Sequence, residues 1–180
     1  DKIMSMPFIS ETEVTLRALE PEDLDLLYEV ENDVSLWCVG TTTAPYSRYA
    51  LREYIANATG DIFTDHQVRM MICDSQGRAV GILDLMNFNA QHRRAEVGIV
   101  IFEPFRNRGY GLAALQHVFR YAYAILHIHK LYALVAVNNI YSRRLFEGAD
   151  FAQEGMLHDW LFDGNQYQDV VIYQRLLQGS

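Results

Sequence analysis

The chain has 180 residues, half of them hydrophobic, and a formal charge of −8 from 15 basic and 23 acidic side chains. The length suits one domain, residues 1–180, large enough to fold without a disulfide or metal staple. The acidity speaks against a nucleic-acid binder, no apolar run reaches the roughly 18 residues of a membrane span, and residues 1–6 lack a signal-peptide pattern.

Residues 14–19 read as a short strand. Pro21 opens a helix to about Asn32, because proline suits a first helical turn, and a second helix covers 47–58. Residues 66–73, 79–88 and 92–102 read as three strands of a meander, with turns at Asp74-Ser75-Gln76-Gly77 and Asn89-Ala90-Gln91. After Pro104 the period changes. Leu112, Leu115, Val118, Phe119, Ala122, Ile125 and Leu126 recur at helical spacing. Residues 131–137 form a β-rich apolar run, and 141–147 a short helix that Asn139 would cap. Residues 151–161 and 167–176 make a hairpin around Asp163-Gly164. The order β-α-α-β-β-β-α-β-α-β-β predicts a mixed α/β domain of about seven strands and four helices.

The charge is uneven. The first 60 residues hold 11 acidic and 4 basic side chains, a balance of −7, so the remaining 120 are nearly neutral. This acidic third is either a solvated helix face or a surface that attracts a polyvalent cation. Cys38 and Cys73 have no CxxC spacing and read as reduced residues of a cytoplasmic protein. The six histidines form no recognisable metal constellation. His127 and His129 better suit a helix C-terminus.

The most informative segment is Arg106-Asn107-Arg108-Gly109-Tyr110-Gly111-Leu112-Ala113, between a strand and the long helix. Glycines let the backbone turn and expose N–H groups, the helix start adds partial positive charge, and two arginines add bidentate donors. The Gly-Lys-Ser/Thr of a P-loop is absent. A relaxed G-x-G-x-x-A fingerprint is present, but His127, His129 and Lys130 stand where a dinucleotide fold needs an acid.

The pattern Arg-x-x-Gly-x-Gly after a strand and before a helix resembles the pyrophosphate loop of the GNAT N-acetyltransferases, and the resemblance covers most of the chain. Within that superfamily three stretches are most similar to bacterial spermidine acetyltransferases: Arg17-Ala18-Leu19-Glu20-Pro21-Glu22-Asp23-Leu24, His92-Arg93-Arg94-Ala95-Glu96 and Asp163-Gly164-Asn165-Gln166-Tyr167. A group of ribosomal-protein N-terminal acetyltransferases shares the cofactor motifs. The resemblance implies a GNAT fold with a central, mostly antiparallel sheet. It implies acetyl-CoA as cofactor, a small cationic amine such as spermidine or spermine as acceptor, and a homo-oligomer. Protein N-terminal acetylation and a weakly catalytic acyl-CoA-binding module are the alternatives.

The resemblance also implies site residues. Arg106, Asn107, Arg108, Gly109, Tyr110, Gly111, Leu112 and Ala113 would hold the pyrophosphate. The backbones of Ile99, Val100 and Ile101 would align the pantetheine arm. Asn139, Ser142 and Phe146 would contact the cofactor from the next strand and helix. Gly98 would mark a bulge or a close backbone approach, the bulge splaying the strands. Glu96 shares a strand face with Gly98 and Val100 and is the candidate base, or else the partner of Arg93 or Arg94. Asp84, Glu29, Glu31 and Asp33 would bind the cationic acceptor. A Tyr that follows the motif Asn by seven residues in the spermidine group is Phe146 here, and Phe cannot donate a proton. Ser142 is then the candidate donor to the departing thiol. Asp150 replaces the glycine of the usual Gly-Phe pair.

Overall fold

A computed structural model describes residues 12–39 and 43–178, residues 37–39 by their backbone alone. Residues 1–6 and the Cys38 side chain therefore lie outside the described residues. Seven strands form one sheet in the order β1-β2-β3-β4-β5-β7-β6. They are β1 (Thr15–Ala18), β2 (Val68–Cys73), β3 (Ala79–Asn89), β4 (Arg94–Ile101), β5 (Lys130–Ala136), β6 (Ala152–Phe162) and β7 (Tyr167–Leu176). Every neighbouring pair is antiparallel except β4 with β5.

The helices are α1 (Leu24–Glu31), α2 (Arg48–Asn57), α3 (Ile62–Asp65), α4 (Tyr110–Ala124) and α5 (Ile140–Gly148). Among the described residues there are thus five α-helices where the sequence pattern predicts four. The extra one, α3, is a single turn, too short to show a period. Asp61 caps it by accepting the Phe63 N–H at 3.0 Å and the Thr64 hydroxyl at 2.6 Å, and Ile62 is buried beneath it.

Strand alternation sorts the side chains onto two faces. One face carries Leu83, Leu85, Ala95, Val97, Ile101, Leu131 and Ala133. It packs on Ala114, Leu115, Val118 and Ala122 of α4 and Phe146 of α5. The other carries Met71, Cys73 and Ile82 against Leu27 of α1 and Leu51 of α2. Cys73 is buried with a free thiol. Arg17 links β1 to the turn before α1 by a bidentate pair to Asp23 at 2.8 and 2.9 Å. Asp23 also accepts the Glu20 N–H, and the Arg17 bonds hold its carboxyl below the usual range. The Arg17-to-Asp23 stretch therefore builds the helix entry. Among the described residues no helix is long and apolar enough to cross a membrane.

Candidate functional site

Parallel pairing of β4 with β5 lasts only three rungs and stops at Glu96 opposite Tyr132. Both strands run on, β4 to Ile101 and β5 to Ala136, without pairing to each other. A cleft therefore opens directly beyond Glu96. Its walls are the Gly98–Ile101 stretch of β4 on one side and β5 with the start of α5 on the other.

The expected bulge at Gly98 is absent. Gly98 stays in register with Asp84, and the irregularity lies in β3 between Met86 and Asn89, where Asn87 sits at φ 50°. The close approach is present instead, because a Cβ on Gly98 would lie 2.8 Å from Met86 Cε. Gly81, opposite Ile101, is tighter still. A side chain there would collide with the Val100 carbonyl oxygen and stand 2.9 Å from Ile101 Cδ1.

Glu96 is half-buried and faces the same side as Asp84, Gly98, Val100 and Tyr132. Burial pushes its carboxyl above the ordinary value, and a hydrogen bond from Asn87 partly offsets that. Asn87 escaped the sequence reading because only the β3 bulge aims it at Glu96. The alternative pairing of Glu96 with Arg93 does not form, since Arg93 Nε donates to the His127 carbonyl at 2.7 Å. Among the described residues Glu96 has no ion pair. Burial also raises the Tyr132 phenol, and the neighbouring Glu96 adds to the shift.

At the other end of β4 the chain turns through Asn107 at φ 62° and Gly109 at φ 84° into α4. The first intrahelical bond runs from the Ala113 N–H to the Gly109 carbonyl at 3.1 Å. The amides of Tyr110, Gly111 and Leu112 precede it and point out of the helix end. Arg106 and Arg108 are exposed beside them. Arg106 Nε donates to the Ile101 carbonyl at 3.0 Å, and its guanidinium stands 5.6 Å from the Tyr141 ring centre. Arg106 thus bridges the loop and the first turn of α5. A backbone cradle with two guanidiniums fits a pyrophosphate, and the parted strands fit an extended arm.

α5 brings the remaining candidates. Asn139 caps it by accepting the Ser142 N–H at 3.1 Å, and Ser142 is half-buried in the first turn. The cofactor contact expected of Phe146 does not match its position. Phe146 is 3% exposed, edge-on to Phe151 at 5.0 Å and stacked on Tyr173 at 6.2 Å, so its ring belongs to the core. The Tyr173 hydroxyl donates to Glu147 at 2.7 Å and accepts from Arg143 Nε at 3.2 Å, fastening α5 to β7.

The four carboxylates expected to bind an amine do not converge as a group. Glu31 and Asp84 meet, but around Arg69, which pairs with both. Glu29 is exposed and lies about 200° around α1 from Glu31. Asp33 is exposed and occupied locally, its Oδ1 accepting the Ser35 N–H at 3.0 Å and the Ser35 hydroxyl at 2.6 Å. Neither lines the cavity of about 310 Å³ that Glu31 and Asp84 share. A larger concavity of about 780 Å³ lies along the open edge of β1, beside Tyr54, His117 and Tyr121. It lacks both Glu96 and the 106–113 loop, so size alone does not mark the site.

Comparison with known proteins identifies the family. A family model described as an acetyltransferase (GNAT) domain matches residues 13–152. The chain is 31% identical over 162 residues to a spermidine N(1)-acetyltransferase of Vibrio cholerae serotype O1, covering 88% of this chain and 90% of that protein. It is similar to the crystal structure of spermidine N-acetyltransferase from Vibrio cholerae in complex with CoA and spermine. That match has 30% identity and a TM-score of 0.78, over 91% of this chain and 95% of the other. A dodecameric form of the Vibrio cholerae protein matches with a TM-score of 0.75 at 29% identity, over 91% and 94% of the two chains.

Proposed function

The chain belongs to the GNAT acetyltransferase family, and from that premise we propose that it transfers acetyl to a primary amine of a polyamine such as spermidine or spermine. GNAT acetyltransferases use acetyl-CoA, which supplies the acetyl group as an activated thioester.

The observation that carries the proposal is the half-buried Glu96 carboxylate at the last paired rung before β4 and β5 separate. An amine must shed a proton to attack, and a carboxylate raised by burial is a better base than an exposed one. Glu96 takes that proton, directly or through one water. Backbone groups of Ile99, Val100 and Ile101 align the cofactor arm and polarise the carbonyl. The 106–113 loop binds the pyrophosphate through the α4 amides and the guanidiniums of Arg106 and Arg108. Asn139 shapes the first turn of α5, and the Ser142 hydroxyl stabilises the departing sulfur.

The acidic first third supports a cationic acceptor, since α1 and α2 cover the sheet face that carries Glu96. Residues 1–180 act as one catalytic domain, in the cytoplasm, where Cys73 stays reduced. An assembly of several copies is supported by the exposed Trp160, Phe162 and Tyr167 around the β6–β7 turn and by the dodecameric relative.

The test is thiol release from acetyl-CoA with purified protein and a panel of polyamines, amino sugars and N-terminal peptides. Release with the polyamines above the other two classes is expected. Release only with peptides assigns the protein to N-terminal acetylation. Cofactor binding without release on any amine reduces it to an acyl-CoA-binding module.

A further inference from the structure

Asp84 and Glu31 come together with a cation already between them. Arg69 on β2 is the cross-strand partner of Asp84. Its Nε and Nη2 donate to the two Asp84 oxygens at 2.7 and 3.0 Å, and its Nη1 donates to Glu31 at the end of α1. The Tyr54 ring centre lies 6.0 Å from the same guanidinium. The Arg69, Glu31 and Asp84 side chains are only 22%, 19% and 25% exposed, so solvent screens these charges weakly.

The three groups line a cavity of about 310 Å³ together with Tyr46, Tyr54 and Met86. Met86 is the cross-strand partner of Glu96, so the cavity runs beside the candidate base. Asp84 and Glu96 are diagonal neighbours on one face, about 7 Å apart at the backbone. An acceptor whose reacting nitrogen meets Glu96 would extend its remaining amines towards Asp84 and Glu31.

Those carboxylates are not fully available. A guanidinium fork matches a carboxylate in two parallel bonds, whereas an ammonium is a compact point charge that keeps its water. A second cation entering the cavity also meets the like charge of Arg69. Two carboxylates and one guanidinium leave a balance of −1.

We propose that Arg69 is a specificity-determining residue, an internal counter-cation by which the cavity accepts one ammonium of the acceptor and leaves the further ammonium groups of longer polyamines outside. This rests on the acetyl-transfer reading, and it concerns which amine that site takes.

The experiment measures calorimetric Kd and steady-state KM of the full chain for a linear diamine, spermidine and spermine. It compares wild type with Arg69→Lys, Arg69→Met, Glu31→Gln and the double variant Arg69→Met/Glu31→Gln. For wild type and Arg69→Lys the three Kd values are expected within about threefold of one another. Arg69→Met tightens spermine at least tenfold relative to the diamine. The double variant restores the balance of −1 and returns the ratio to that of wild type. Glu31→Gln removes the net charge and weakens the diamine at least tenfold, a readout that survives if Arg69→Met does not fold.

A wild type that already prefers spermine over the diamine by tenfold overturns the proposal. So does an Arg69→Met that shifts all three amines equally, or a double variant that fails to restore the ratio. Absence of binding by every amine also overturns it. Wild-type binding without turnover counts against the acetyl-transfer reading alone, because the Kd ratios still report Arg69.

Discussion

Replacing Glu96 by Gln isolates the carboxylate from its shape. Gln keeps the volume and an oxygen that accepts the Asn87 hydrogen bond, so only the basic function is lost. A positioned general base contributes about 10²–10⁴-fold, or roughly 2.7–5.4 kcal/mol of barrier. The expected outcome is that loss in kcat/KM for the amine, with KM for acetyl-CoA within about twofold. Stability should move the other way. Burial raises the Glu96 pKa above its ordinary value, so the folded protein holds this proton more tightly than the unfolded chain. That stabilisation is complete below the unfolded pKa and is lost as pH rises through the folded one. At neutral pH the wild type therefore carries an unfavourable buried charge, and the variant should melt at the same temperature or higher. The gap should close as the pH falls towards the ordinary carboxylate value. Thiol-release rates across the pH range and melting curves at several pH values read both effects. Wild-type-like kcat/KM over the whole profile would remove Glu96 from the mechanism. A melting temperature several degrees lower would show that the rate loss came from damage to the sheet.

Three further outcomes follow from the local geometry. Gly81→Ala forces a methyl group against the Val100 backbone. It should cost about 1–3 kcal/mol, lower Tm by about 3–10 °C, and cut kcat more than tenfold by displacing β4, the strand proposed to align the cofactor. An unchanged Tm and rate would show that β4 yields freely. Ser142→Ala leaves the Asn139 cap intact, because the cap uses the Ser142 N–H. Stability should change by less than about 0.5 kcal/mol, while kcat falls about 10–100-fold for a lost hydrogen bond to a developing charge. Unaltered kcat excludes the hydroxyl. Asp150 holds φ 62°, where glycine is unstrained, so Asp150→Gly should gain about 0.5–1 kcal/mol and raise Tm by about 2–3 °C. A lower Tm would mean that the Asp150 side chain contributes more than its backbone strain costs.

Strands, hairpins and the long helix were legible because their signals are local. Pro21, Asp163-Gly164 and the spacing of Leu112, Leu115 and Val118 each act within a few residues, and elements form at those places. The 106–113 loop was legible for the same reason, as Gly109 supplies the left-handed turn into α4. Contacts between distant segments were not legible. Arg69 lies 15 residues from Asp84 and 38 from Glu31, and no pattern in the sequence pairs them. Asn87 reaches Glu96 only because β3 bulges there, and Phe146 turns into the core because Phe151 and Tyr173 offer it a stacked site. The cleft also needs no bulge in β4, since β4 and β5 simply stop pairing after Glu96.

The acidic first third changes meaning at this level. Asp23, Asp25 and Glu31 are each held by an arginine, so formal charge overstates what a polycation meets there. Asp33 is committed to Ser35.

Glu96 and the parted strands are proposed to serve acetyl transfer to a polyamine. Mass analysis of spermidine incubated with acetyl-CoA and purified protein tests it most directly. Singly acetylated spermidine is expected, formed in step with free thiol and nearly abolished in Glu96→Gln. Unmodified spermidine alongside acetylated N-terminal peptides, or no acetylated product at all, would contradict it.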